Sequence, residues 1–524
     1  MSNLNNLLNN IKDNKNQLFL LFSLIIFILI FSTGFVSDDF SEISNIKNKE
    51  NVFQFLPFNA YINVPVLYYT HYIFYYFISI ENYIFISLIK FFYTFIAFYM
   101  ISKFFSIFTN YYSSLLISFL FIFWPTHDST VYFFLAQYLM LTVAFQLYAY
   151  YLLKKNFFKT SVLFSLLGSF ISYGSTPIAI GLFILFALNN SYKKSLYIII
   201  PNIIYIFYYI FISKIFLVSS ISRIPNSFEL ATFIKNCVLQ IVTLLDVNIG
   251  ISFFIKLFYS ILENNAFSLI VSFAVSILLF FLKKKKFIFD KFHLETNLLI
   301  TFVLIILIAL FMFAITGGYY QNAFNLGNRV SIYSSLLFSY LFVYIIQNQR
   351  INFFAIILAM TVIFGISNHW KNIQFTQNTT IKNINSNQKL QNYNDTKILF
   401  IVGNEYSKFG KFSHIEFFSA SHVAEGVFNI NNLNHIRVKT LNRSFVFDGE
   451  YLKDIKFPNR KFLVDNEIMI YDSNTNVFNV INDKEINLYI STLKKNNRHW
   501  VQLQNNRFIN NMISKYFPNL NYLF

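Results

Sequence analysis

The run Leu18-Phe19-Leu20-Leu21-Phe22-Ser23-Leu24-Ile25-Ile26-Phe27-Ile28-Leu29-Ile30-Phe31-Ser32-Thr33-Gly34-Phe35, followed by Val36-Ser37-Asp38-Asp39-Phe40-Ser41-Glu42, decides the fold. An uncharged stretch of this length crosses a ~30 Å hydrocarbon core as a helix. No small-residue cleavage site follows it, which makes it a retained first helix rather than a removed signal peptide. The polar residues 1–17 carry Lys12 and Lys15, and the positive-inside rule puts them in the cytoplasm. Asp38 and Asp39 then stand just beyond the far membrane face. Adjacent carboxylates cost free energy unless a cation, a proton or a donor-rich partner offsets them. Two readings stay open: a hydrated loop with turn-forming aspartates, or a catalytic carboxylate facing a lipid-borne substrate.

Similar apolar runs recur outward from this point. The chain is 56% hydrophobic and only 12% charged, with mean hydropathy +0.50, which excludes an ordinary soluble globule and a disordered chain. Further spans are expected over 83–101, 108–124, 132–153, 158–173, 176–189, 195–213, 266–282, 297–316, 330–346 and 351–367, about eleven in all. The short aromatic segment 66–80 is read as an interfacial or re-entrant helix, because counting it as a span would move the later lysine clusters outside. With that choice Lys103, then Lys154, Lys155 and Lys159, then Lys193 and Lys194, then Lys283 to Lys286 with Lys291, and finally Arg350 all fall inside. The excess of +17 thus faces anionic cytoplasmic lipid rather than nucleic acid. Phe, Ile, Asn, Lys and Tyr are abundant together, the mark of AT-rich codons, so aromatic stripes carry no binding argument. Cys237 is the single cysteine, which rules out an intrachain disulfide and a cysteine metal site. Lys90 is the main charge within a span and is expected to snorkel. Sparse intramembrane charge speaks against an ion-coupled transporter.

The outer stretch 214–265 has apolar residues at helical spacing (Phe228, Leu230, Ala231, Ile234, Val238, Ile241 and Leu245) and predicts an amphipathic helix lying on the membrane. Residues 370–394 read as an Asn-rich linker. Residues 395–524 read as a soluble domain placed outside by the odd number of spans. Within it, Lys397-Ile398-Leu399-Phe400-Ile401-Val402-Gly403 predicts a buried strand ending on a glycine turn, and 462–480 a hairpin about Asp472-Ser473-Asn474-Thr475-Asn476. The expected fold is an all-α polytopic membrane bundle with a C-terminal soluble α/β or α+β domain on the outer face.

Candidate chemistry gathers at outer span ends: Asp38, Asp39 and Glu42; His127 and Asp128; Lys214 and Arg223; Arg329. On a helix Asp38 and Glu42 share a face at i, i+4. Asp128 in Pro125-Thr126-His127-Asp128-Ser129-Thr130 also fits a helix N-cap, and His127 alone is a weak ligand or acid/base. Arg329 closes the glycine-containing loop Gly317-Gly318-Tyr319-Tyr320-Gln321-Asn322-Ala323-Phe324-Asn325-Leu326-Gly327-Asn328. Its guanidinium suits bidentate contact with phosphate oxygens, or with a lipid headgroup. His414-Ile415-Glu416 and His422 match no zinc spacing, and neither GxSxG nor a nucleotide fingerprint occurs.

Taken together, residues 18–370 resemble the GT-C superfamily of integral membrane glycosyltransferases, whose members include protein O-mannosyltransferases and lipid A aminoarabinose transferases. The resemblance lies in the first-loop pair Asp38-Asp39, in Asn63-Val64-Pro65-Val66-Leu67-Tyr68-Tyr69 (where relatives often read Arg-Pro-Pro-Leu-Tyr-Tyr), in Trp124-Pro125-Thr126-His127-Asp128, and in the soluble C-terminal domain. Asn63-Val64 departs from the arginine common there. The resemblance implies a polyprenyl-phosphate sugar donor used on the outer face of a bacterial inner membrane, with a glycan, lipid or protein hydroxyl as acceptor. It implies Asp38 or Asp39 as general base with inversion and a cation on the departing phosphate, for which Arg329 is the candidate; Glu42, His127 and Asp128 are the further candidates for substrate binding. A divalent metal, used by some relatives, is a possible cofactor. The competing reading is an envelope glycan flippase, polymerase or transporter without a catalytic carboxylate. Its cue would be charge lining the spans.

Overall fold

The first apolar run folds as helix α1 (Lys15–Ile30) and the acidic stretch after it as helix α2 (Asp38–Lys47) in the computed structural model of the chain. The structure describes residues 15–49, 52–53, 59–78, 83–215, 229–284, 293–316, 320–348, 352–393, 397–410, 412–455, 460–464, 466–494, 511 and 515–516. Lys12, Arg223, Phe228, Lys285, Lys286, Lys291, Gly317, Gly318, Tyr319 and Arg350 lie outside them.

The bundle continues as α3 (Tyr83–Phe105), α4 (Tyr111–Ile122), α5 (Gln137–Lys154), α6 (Phe158–Ile171), α7 (Ser175–Leu188), α8 (Tyr192–Ile215), α9 (Leu230–Ile249), α10 (Ile251–Leu262), α11 (Ala266–Lys284), α12 (Thr296–Thr316), α13 (Ile332–Asn348) and α14 (Asn352–Ser386). Among the described residues, six helical stretches are long and apolar enough to cross a membrane, and five further apolar helices are shorter. The chain is therefore a mostly helical protein compatible with residence in a bilayer. Two helices, α10 and α11, bury their polar faces and expose apolar ones. On α10, Ser252, Lys256 and Ser260 are buried while Phe254, Phe258 and Leu262 are exposed. On α11, Ser268, Ser272 and Ser276 are buried while Phe267, Ile270 and Phe273 are exposed. Small hydroxyl residues let helix backbones approach and bond across an interface, and apolar side chains facing out suit lipid.

Segment 65–77 forms contiguous helical turns, Pro65–Leu67, Tyr68–Tyr72 and Ile73–Phe77. At 1.5 Å per residue it is about 20 Å long, too short to cross. Tyr68, His71, Tyr72 and Tyr75 are buried against the bundle, as a segment lying at one end of it requires. The expected surface helix over 214–265 is two helices, α9 and α10, broken at Gly250. The apolar stripe through Leu230, Ile234, Val238, Ile241 and Leu245 is exposed, as its spacing predicts. By length and apolarity the pair also counts among the six. The expected snorkelling of Lys90 does not occur. Lys90 is fully buried and donates to the carbonyls of Gly34 and Tyr132.

The largest departure is the linker. The Asn-rich stretch 370–394 continues α14, a single helix of 35 residues, then Gln388–Gln391. Asn and Thr lower helix propensity but do not abolish it, and one face of this segment is buried by packing, including Trp370, Gln374, Gln377, Thr380 and Ile384.

The C-terminal part holds β1 (Leu399–Val402), β2 (Tyr406–Phe409), β3 (Phe412–Glu416), α15 (Ser421–Ile430), β4 (Val438–Thr440), β5 (Phe445–Phe447), β6 (Tyr451–Asp454), β7 (Lys461–Leu463), β8 (Glu467–Asp472), β9 (Val477–Asn482) and α16 (Ile486–Thr492). The main sheet has order β4-β1-β8-β9. β1 runs parallel to β4 and β8, and β9 closes an antiparallel hairpin with β8. β1 is fully buried and ends on Gly403, at φ 82°, which glycine adopts without strain. The expected strand is thus present, and the expected hairpin is β8–β9, a few residues later than its predicted start. Strands β5-β6-β7 form a second, antiparallel sheet, and β2–β3 a separate hairpin.

This domain sits on the same end of the bundle as α2. At Gly426 of α15 a Cβ would lie 2.8 Å from the backbone of Phe40 and Ser41, so only glycine permits this approach. The β2–β3 hairpin reaches between bundle elements, with the Phe412 ring stacked on Phe324 at 5.4 Å.

Candidate functional site

Helix α2 divides the acidic pair. Successive helical residues point about 100° apart, so Asp38 and Asp39 cannot share an environment. Asp39 is completely buried. It accepts from the Val36 amide at 3.0 Å, the Tyr75 hydroxyl at 2.5 Å and the Leu135 amide at 3.3 Å. Burial pushes its carboxyl up, and the Lys90 ammonium, the Tyr75 hydroxyl and the two amides pull it back. Asp39 therefore anchors the first loop to the bundle.

Asp38 is half-buried and turned away from Asp39, and one turn later Glu42 lies on the same face, the i, i+4 relation that the sequence predicts for a helix. Both line a cleft of about 260 Å³ together with Tyr61, Asn63, Val64, Tyr138, Tyr173, Tyr209 and Arg329. Three of the sequence candidates thus meet in one cavity: Asp38, Glu42 and Arg329. Its wall is aromatic, supplied by α5, the 172–174 turn and α8. Asn63 lies in this wall, only 3% exposed, with neither its carboxamide oxygen nor its nitrogen hydrogen-bonded among the described residues. A buried amide left without partners costs about 1–3 kcal/mol unless a ligand or water supplies them. Burial, with the nearby charges of Asp38 and Asp39, pushes Glu42 up to about 7 against the Tyr61 hydrogen bond and the His422 charge.

The C-terminal domain supplies a further group. His422, in the first turn of α15, brings Nε2 to 3.0 Å from Asp38 Oδ1. That hydrogen bond raises the imidazole above its usual value, against partial burial. His414 goes elsewhere, and Glu416 accepts from Ser419, so the histidines and glutamate of this segment do not converge. Among the described residues, no three His, Cys, Asp or Glu side chains are grouped to hold a metal ion.

Asp128 and His127 are also drawn away from the cleft. His127 is buried, with Nδ1 at 2.7 Å from Thr130 Oγ1 and Nε2 at 2.7 Å from the Phe121 carbonyl. Burial lowers it to about 4, and both ring nitrogens are engaged within the bundle. Asp128 precedes the short helix Ser129–Tyr132 but makes no capping bond with its side chain. Its carboxylate is instead a buried hub. Oδ1 accepts from Lys256 Nζ at 2.7 Å and from the Asn328 amide. Oδ2 accepts from Trp370 Nε1 at 2.8 Å and from His414 Nε2 at 3.0 Å. Burial alone would raise this carboxyl, but Lys256 and His414 hold it far below the usual range. His414 itself is pushed down to about 3 by burial. It is the neutral tautomer, its Nδ1 accepting from the Asn325 amide at 3.1 Å. Asp128 thereby ties α10, α14, the 325–328 loop and the C-terminal domain together.

Sequence reasoning missed Lys256, Asn328, Trp370 and His414 in this hub, as well as His422 and Asn63. Lys256 left a signal, a lone lysine in the apolar segment 251–262, since such charges are placed only against partners. The positive φ in the 320–328 loop falls on Asn325 (59°) rather than on a glycine, with its side chain accepting from the Gly327 amide.

No family model matches this chain, and neither the curated proteins nor the solved structures contain a match to it.

Proposed function

We propose that this protein is an inverting membrane glycosyltransferase that moves a sugar from a polyprenyl-phosphate donor to a hydroxyl acceptor at the outer membrane face. The observation that carries this reading is the convergence of Asp38, Glu42, Arg329 and the unpartnered Asn63 in one aromatic cleft beside the bundle. A carboxylate and a guanidinium facing the same space suit a displacement in which a proton is lost at one oxygen and negative charge grows on another. The acceptor oxygen attacks the anomeric carbon as the bond from that carbon to the phosphate oxygen breaks. The acceptor proton passes to a carboxylate of the Asp38–Glu42 face, and the phosphate leaves toward Arg329. Asn63 offers one donor and one acceptor to a sugar hydroxyl or a phosphate oxygen, and so takes the place of the arginine common at this position in the family that the sequence resembles. The short 65–77 helix, with Tyr69, Tyr76 and Phe77 exposed, presents an apolar ledge for a prenyl chain. In this orientation the N-terminus is cytoplasmic and the C-terminal domain extracytoplasmic, in a bacterial inner membrane.

The flippase or transporter reading needs charge lining a path across the spans. Lys90 and Lys256, the buried lysines that would serve it, are tied to carbonyls, to the Asp128 carboxylate and to the charge of Asp39.

The test compares surface glycans and glycolipids by mass in a deletion strain complemented with wild type, Asp38→Asn or Asn63→Leu at equal protein level. The expected result is loss of a hexose-like increment in the deletion, no rescue by Asp38→Asn, and weakened rescue by Asn63→Leu. Full rescue by Asp38→Asn overturns the assignment.

A further inference from the structure

A second cleft opens in the C-terminal domain, of about 430 Å³, between β7 and the start of the main sheet. Three parallel strands begin there. Lys397 precedes β1, Arg437 precedes β4, and Glu467 opens β8; Lys461 and Phe462 on β7 form the facing wall. Three cations and one carboxylate thus surround the space. Phe462 packs edge-on to Phe400 at 5.9 Å and stacks with Phe445 at 6.1 Å, which holds an apolar surface in the wall at a fixed angle.

The cleft faces away from the membrane bundle. The opposite, C-terminal strand ends meet the bundle side: Asn404, just past β1, donates to Thr380 on α14 at 2.9 Å, and the Thr440 amide donates to Ser421 at the start of α15 at 3.2 Å. A strand of this length separates the two ends by about 10–13 Å. Lipid headgroups at the bundle surface are thereby on the wrong side of the sheet.

We infer that this distal cleft binds an acidic oligosaccharide, a hydroxyl-rich chain bearing carboxylate or phosphate groups. The cations pair with the acid groups, the Glu467 carboxylate accepts from hydroxyls, and the half-buried Phe462 ring adds apolar contact. The cleft volume is that of a small-ligand site rather than of a long groove. Glu467 calls for hydroxyl donors, which DNA does not carry along its backbone, and this disfavours nucleic acid. This inference extends the proposed function by giving its acceptor a second point of attachment: a growing acidic glycan held by its older part while its end occupies the Asp38 cleft.

The test uses the full chain in nanodiscs of zwitterionic lipid and fluorescence anisotropy with labelled probes. The probes are tetragalacturonate, a glycerol-phosphate tetramer, maltotetraose and a short oligothymidylate. Binding of either acidic, hydroxyl-bearing probe about tenfold or more tighter than maltotetraose, and its loss by about tenfold in Arg437→Glu/Lys461→Glu, is expected; which acidic probe binds tells carboxylate from phosphate. Glu467→Gln keeps its fold-sensitive thermal transition and weakens hydroxyl-rich probes relative to oligothymidylate. Equal binding of maltotetraose, preference for oligothymidylate, or unchanged binding in the charge-reversed variant overturns the inference. Asp38→Asn is expected to bind the probes like wild type, so loss of transfer with intact binding strikes only one of the two readings.

Discussion

His414 and Asp128 are 286 residues apart in sequence and 3.0 Å apart in space, and this contact joins the C-terminal domain to the core of the bundle. The imidazole is neutral and the carboxylate carries the charge, balanced by Lys256 on its other oxygen at 2.7 Å. A buried charge with four donors is stable only while all of them are present.

Removing Asp128 leaves Lys256 buried without its counter-charge, and breaking such a pair costs about 3–5 kcal/mol. Asp128→Ala is expected to lower the thermal transition in detergent sharply and to make the β2–β3 hairpin accessible to protease. His414→Ala removes one hydrogen bond and ring packing while keeping the ion pair, and is expected to cost less. Limited proteolysis of both variants checks the order.

The two adjacent aspartates are expected to fail in different ways. Asp38→Asn should fold with wild-type thermal stability and lose transfer. Asp39→Asn leaves the buried Lys90 without its anionic neighbour and should reduce stability by several kcal/mol. Size-exclusion profiles and thermal unfolding in detergent separate the two. Equal stability losses would contradict the division of roles by α2.

Glu42, raised to about 7 by burial from 4.5, gives a pH dependence whose sign is set by linkage. Between those values the folded state binds more protons than the unfolded state, so stability falls as pH rises from about 4.5 to about 7. The full effect is on the order of 3 kcal/mol. Glu42→Gln is expected to flatten this slope in a series of urea or thermal unfolding measurements. If Glu42 takes the acceptor proton, transfer in wild type rises through pH 7 with a one-proton slope that the variant lacks.

His422 has the same sign in a higher pH window. Its hydrogen bond to Asp38 raises the imidazole above 6.5, so the pair stabilises docking of α15 below that value, and the contribution is lost as pH rises through the elevated one. Both groups are about half exposed, so screening keeps the effect below about 1 kcal/mol. Protection factors over 421–430, taken relative to the intrinsic exchange rate at each pH, should fall from pH 6 to pH 9 in wild type and show no such change in His422→Ala.

Apolar run length and charge told most of the fold. The apolar helices, the short aromatic segment at the bundle end, the exposed stripe on α9, the β1 strand and the β8–β9 hairpin all follow from local pattern. The 370–386 segment did not, because its polar composition reports solvent on one face while the other is buried by tertiary packing that periodicity does not register. Asp38, Glu42 and Arg329 were legible as charges at span ends. Asp39 was not separable from Asp38, since only the helix that places them 100° apart distinguishes anchor from cleft wall. His422 and His414 lie so far along the chain from their partners that no local signal links them.

Helix α14 runs without a break from Asn352 to Ser386, about 52 Å at helical rise, from the lipid-facing bundle to the sheet. Along it Trp370 holds Asp128, Lys371 donates to the Ile28 carbonyl at 2.8 Å, and Thr380 receives Asn404. It works as a drive shaft: any rotation about its axis is delivered undiminished to the far end. One residue inserted near 375 would turn everything beyond it by about 100°, carrying His422 out of phase with Asp38 while both halves kept their own folds. Phase, more than proximity, joins the two halves of this protein.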